Sequence, residues 1–85
     1  MNRELENLLI AIVKQAVEDY RRNFRMMLKT QDPEERDLYQ KENRDIIRDI
    51  NQSGYYEYFE GLDMTFEELI KKVEREELKL WQQRR

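Results

Sequence analysis

The sequence predicts an all-α fold: a small helical bundle of three main helices plus a short connecting helical turn. Three observations carry this prediction. Apolar residues recur at spacings of three and four over long stretches, which is the period of one face of an α-helix. The chain of 85 residues holds only two glycines and one proline, so the turn chemistry of a strand-rich fold is nearly absent. Capping residues followed three positions later by glutamate mark helix starts at Asp32 and at Thr65. At this length a second independent core does not fit, so residues 1–85 form one helical domain, with helices expected at about 3–30, 33–52, 55–60 and 66–83.

In the first helix Asn2 is placed as N-cap, and Leu5, Leu9, Ile12, Ala16, Tyr20, Phe24 and Met27 make one apolar face. Leu8, Ile10, Val13 and Val17 add apolar surface beside and behind that face. Such a helix is either central in the bundle or a dimerisation element. The excess apolar surface, on a chain too small for a large core, predicts a homodimer through helix 1.

The second helix opens with Asp32 as N-cap, Pro33 at the first helical position and Glu35 completing a capping box; it ends where Ser53 and Gly54 supply a stop. Its apolar positions are Leu38, Tyr39, Ile46, Ile47 and Ile50. Residues 40–45 are all polar, and helical geometry puts Glu42 and Asn43 on the inner side, so one of them is expected to hydrogen-bond across the bundle or to sit at a wet gap. Residues 55–62 have room for one short connecting turn, closed by Gly61. Thr65 and Glu68 then form a second capping box, with Met64 and Leu69 placed for a hydrophobic staple. The last helix turns Phe66, Leu69, Ile70, Val73, Leu80 and Trp81 inward, and Arg84 and Arg85 suit its C-terminal end.

The most apolar run, residues 8–13, is far shorter than the roughly 20 residues that span a bilayer, so no membrane segment is expected. The chain's start does not read as a signal peptide, and cysteine is absent, which together predict a cytoplasmic protein. Histidine is absent too, so the usual general base, most nucleophilic triads and the common soft metal ligands are missing. Acid pairs such as Glu34 with Glu35 and Glu67 with Glu68 lie in first turns, where the helix dipole accounts for them. Neither an enzyme nor a cofactor or metal site is expected.

Charge is unevenly distributed although the formal net charge is only -3. Arg21, Arg25 and Lys29 follow one another at spacings of four with Arg22 beside them, and Lys41, Arg44 and Arg48 make a second stripe. Both stripes could contact phosphate, which makes a small nucleic-acid-binding accessory protein the alternative function. Interleaved acids such as Glu18, Asp19, Glu42 and Asp45 rank it second, behind a solvated, salt-bridged surface. Residues 53–70, by contrast, carry five acids and no base. Tyr55, Tyr56, Tyr58, Phe59 and Phe66 are interleaved there with Glu57, Glu60, Asp63, Glu67 and Glu68. This composition suits a protein-binding surface for a basic partner, and equally suits aromatics closing one end of the bundle. The spacing turns Tyr56 and Phe59 inward, leaving Tyr55 and Tyr58, with Glu57, Glu60, Asp63 and Glu67, as the partner-binding set.

Gln-Ala-Val-Glu-Asp-Tyr-Arg-Arg at residues 15–22 and Ser-Gly-Tyr-Tyr-Glu-Tyr-Phe-Glu-Gly-Leu-Asp at residues 53–63, followed by Leu69 and Ile70, resemble small uncharacterised helical proteins encoded by prophages and conjugative elements of Gram-positive bacteria. The resemblance covers roughly residues 10–76. It departs from the family pattern at Tyr55-Tyr56, where that pattern has Trp-Phe, and at Asp63-Met64, where it has Asp-Gly. It implies a mobile-element origin and carries no catalytic residues. The expected function is a non-enzymatic interaction module that binds or modulates a host or element protein whose identity the sequence does not name.

Overall fold

The computed structural model describes residues 3–54, 56 and 64–83, and among them it contains three helices and no strand. These are α1 (Arg3–Lys29), α2 (Pro33–Ser53) and α3 (Phe66–Gln83). Each pair of helices is in contact, so the chain is an all-α bundle with α1 as its longest element. The predicted connector at 55–60, apart from Tyr56, lies outside the described residues, as do Asn2, Arg84 and Arg85.

The helix boundaries follow from local chemistry. At the start of α2 the Asp32 carboxylate accepts from the Glu34 amide at 3.0 Å, and Pro33 fills a position whose N–H would have no partner. The reciprocal half of the predicted capping box is replaced. The Thr30 hydroxyl accepts from the Asp32 amide at 3.2 Å and donates to Glu35 Oε2 at 2.7 Å. In so short a connection Thr30 reaches the Asp32 amide first, so Glu35 bonds the threonine instead. Gly54 ends α2 with φ of 69°, a left-handed conformation that costs glycine no steric clash. The Thr65 hydroxyl accepts from the Glu68 amide at 3.1 Å to cap α3.

Hydrogen bonds set the helix directions. Asn23 bonds Asn43 while Ile12 and Ala16 lie beside Ile46 and Ile50, and Tyr20 bonds Glu74 while Arg25 bonds Glu77, so α2 runs antiparallel and α3 parallel to α1. Moving from Asn43 to the end of α2 at Ser53 moves back along α1 from Asn23 to about Val13, and the start of α3 falls near the same level. The first turns of α1 therefore extend past the ends of both other helices. The buried cluster is Val13, Tyr20, Ile50, Phe66 and Ile70, with Ile12, Ala16, Val17, Phe24, Ile46, Ile47, Tyr56 and Leu69 packed against it.

Three predicted inner positions are corrected. Leu5 is 48% exposed because it lies on the part of α1 that neither α2 nor α3 reaches. Leu38 is 62% exposed, since the buried side of α2 passes through Asn43 and Ile50 and leaves it at the flank. Leu80 is 45% exposed although it stands seven residues after Val73 on the same stripe, because it lies in the last turns of α3, past Glu77, the last buried residue of that helix. Val13, placed beside the core by its spacing, is at its centre.

Candidate functional site

Polar side chains converge along the middle of α1. Asn23 Nδ2 donates to Asn43 Oδ1 at 3.1 Å, and Asn43 Nδ2 donates to the Tyr20 carbonyl at 3.3 Å. Both asparagines are buried, and these bonds offset the cost of removing their amides from water. Asn43 is thus the inner polar residue that the pattern of α2 required.

On the α3 side, Glu77 is 3% exposed and ionised among arginines. Arg25 Nε and Nη2 donate to its two oxygens at 3.0 and 2.9 Å, and Arg21 Nη1 donates at 3.2 Å. The Arg25 hydrogen bond is the main reason the Glu77 carboxyl is held below the usual glutamate value; burial opposes it, and Arg21 adds to it. A carboxylate so held is a structural anchor for two cations and a poor proton acceptor near neutral pH. Nearby, the Tyr20 hydroxyl donates to Glu74 Oε1. Burial first, and that bond second, push the Tyr20 phenol well above its usual range.

Two concavities flank this seam. A cleft of about 340 Å³ has apolar walls from Phe24, Met27 and Ile47 and polar edges at Gln40, Arg44 and Glu74. A groove of about 300 Å³ lies between α1 and α2, floored by Ile12, Ala16, Ile46 and Ile50, with Asp19 and Asp49 at its edges. Beyond the groove, on the projecting start of α1, Leu8 is 57% and Ile10 41% exposed. Among the described residues no group of three or more acidic, histidine or cysteine side chains could hold a metal ion, and no helix is long and apolar enough to cross a membrane.

The predicted cationic stripes are largely committed within the chain. Arg21 and Arg25 bind Glu77, Arg21 also lies 3.5 Å from Glu76, Arg22 lies 3.3 Å from Asp19, and Arg48 lies 3.2 Å from Asp45 and 3.4 Å from Asp49. Lys29, Lys41 and Arg44 are exposed. Of the predicted partner-binding set, Tyr55, Glu57, Tyr58, Glu60 and Asp63 lie outside the described residues, as does Phe59. Glu67 is exposed and accepts from Asn51 Nδ2 at 3.0 Å, tying the start of α3 to the end of α2. Tyr56 is half-buried against the core, its ring 5.6 Å from that of Phe66, as its assignment inward required.

The reading of the sequence missed Glu77 and the α1–α2 groove. A signal for Glu77 was present, since an acid stands where the inner stripe of α3 calls for an apolar residue, and two arginines on α1 are four apart. No protein-family model, no curated protein and no solved structure matches this chain.

Proposed function

We propose that this chain is a non-enzymatic protein-interaction module of mobile-element origin, acting in the cytoplasm by binding or modulating a host or element protein, and that it associates as a homodimer through α1. The observation that carries this reading is the exposure of Leu5, Leu8 and Ile10 on turns of α1 that project past α2 and α3. Exposed large aliphatic side chains on either side of buried Leu9 favour contact with another protein surface.

The partner surface in this reading is the acidic aromatic segment, through Tyr55, Tyr58, Glu57, Glu60, Asp63 and Glu67. The inward packing of Tyr56 supports that assignment, because it separates one tyrosine that serves the core from those left for binding. The commitment of Arg21 and Arg25 to the buried Glu77 supports a protein partner over a phosphate backbone.

Light scattering over a wide concentration range tests the dimer: a dimeric mass is expected, with Leu8→Glu giving a monomer of unchanged helicity. A monomeric mass at every concentration overturns it. Capture from a native lysate tests the partner surface, with Tyr55→Ala and Tyr58→Ala expected to reduce retention of the captured protein without lowering the melting temperature.

A further inference from the structure

The groove between α1 and α2 has a floor made by two helices, and among the described residues no third helix is laid over it. Ile12 and Ala16 supply one side, Ile46 and Ile50 the other. The residues of α1 that bond α3, namely Tyr20, Arg21 and Arg25, lie round the helix from Ile12 and Ala16, so α3 packs on a different side of the α1–α2 pair. Ile12 and Ala16 on α1, and Ile46 and Ile50 on α2, each stand one helical turn apart, about 6 Å along each wall, which is the anchor spacing of an amphipathic helix laid in a groove. Ala16 is small enough to let a second backbone approach closely.

The edges of the groove are acidic. Asp19 and Asp49 line it, and Glu42 and Asp45 stand one turn before Ile46 and Asp49 on the same flank of α2. Among the described residues Arg22, 71% exposed, and Arg48, 57% exposed, pair with these acids, and Lys41 stands one turn before Asp45, so four carboxylates face three cations along the rim. Surface pairs of this kind contribute little and exchange readily for other cations. A second copy set groove to groove would bring the same acids together and be repelled. A helix flanked by lysine or arginine would be attracted.

We propose that this groove docks a basic amphipathic helix of a partner protein. The proposal rests on the protein-interaction reading above and names the chemistry of what is bound. It is tested on the full chain with two synthetic helical peptides sharing one leucine stripe, one flanked by lysines and one by glutamates, followed by fluorescence anisotropy. The lysine peptide is expected to bind about tenfold tighter than the glutamate peptide, and to weaken as salt is added. Ala16→Gln, which fills the floor of the groove, is expected to abolish binding while leaving the dimer intact. Exchanging both Asp19 and Asp49 for lysine alters only surface groups and is expected to reverse the preference between the peptides at unchanged helicity.

Equal binding of the two peptides, binding of neither, or indifference to both sets of changes overturns the proposal. So does Ala16→Gln turning dimer into monomer, since a second copy would then occupy the groove. If the peptides fail while dimer and captured partner persist, this proposal falls and the interaction-module reading stands; if the lysine peptide binds a chain that is always monomeric, the groove stands and the homodimer falls.

Discussion

Asn23 and Asn43 hydrogen-bond to each other across the α1–α2 interface at 3.1 Å with both side chains buried. The pair satisfies a polar requirement that either residue alone would leave open, and it specifies which turn of α2 lies opposite which turn of α1. Asn43→Leu strands the Asn23 amide, and the expected loss is about 1–3 kcal/mol. The double change to leucine at both positions should recover much of that loss, because the stranded group goes as well. Urea denaturation of the single and double variants gives the coupling directly, and a double variant no more stable than Asn43→Leu would show that the pair is not a unit.

Glu77 makes stability depend on acid. Its folded pKa is lowered below the ordinary glutamate value of 4.5, chiefly by the Arg25 hydrogen bond. A depressed carboxyl contributes stability that is fully present above 4.5 and is lost as pH falls through the folded value. Glu77→Gln keeps the volume and removes the charge. It should lower stability near neutral pH by about 1.5–3 kcal/mol, and should flatten the acid side of the stability curve. Denaturation midpoints for both proteins across that window check this, and parallel curves would count against it.

Tyr20 governs the alkaline side. Its folded pKa is raised above the ordinary tyrosine value of 10.0, by burial first and by the Glu74 bond second, and Tyr56 is raised by burial and then by Glu68. For an acid whose neutral form is favoured in the fold, this stability is present below 10.0 and declines as pH rises above it. Tyr20→Phe retains the ring in the core and should lose about 1 kcal/mol at neutral pH. It should also decline less steeply in alkali, with the slope due to Tyr56 remaining. Ultraviolet titration is expected to show one fewer tyrosine ionising only on unfolding.

The ends of α2 and the start of α3 were legible because single residues mark them: Asp32 with Pro33, Gly54, and Thr65 with Glu68. Asn43 was legible because a polar residue on an inner stripe has few ways to be satisfied. Leu5 and Leu80 were not, since periodicity identifies a stripe without saying how far the neighbouring helices run along it. Arg21 and Arg25 read as a solvent or phosphate stripe because Glu77, which claims them, lies more than fifty residues away in sequence. The α1–α2 groove was out of reach for the same reason, as it exists only once Ile12 and Ala16 have been set against Ile46 and Ile50.

Leu8 separates association from folding. With 57% of its surface exposed and its turn of α1 beyond the ends of α2 and α3, it contributes little to the core of a single chain. In a dimer through α1 the same side chain is buried, and burying one leucine contributes about 1.5–3 kcal/mol per copy. Binding that favours the folded state also raises apparent stability by mass action, so the melting temperature of the natural chain should rise with protein concentration. Leu8→Glu should abolish that dependence, placing a charge where two copies meet, and should melt at the temperature the natural chain approaches on dilution. Differential scanning calorimetry over a wide concentration range, on both proteins, reads the two effects together. Should Leu8→Glu melt far below the diluted natural chain, Leu8 would be part of the fold itself and the projecting turns of α1 would not be the dimer surface.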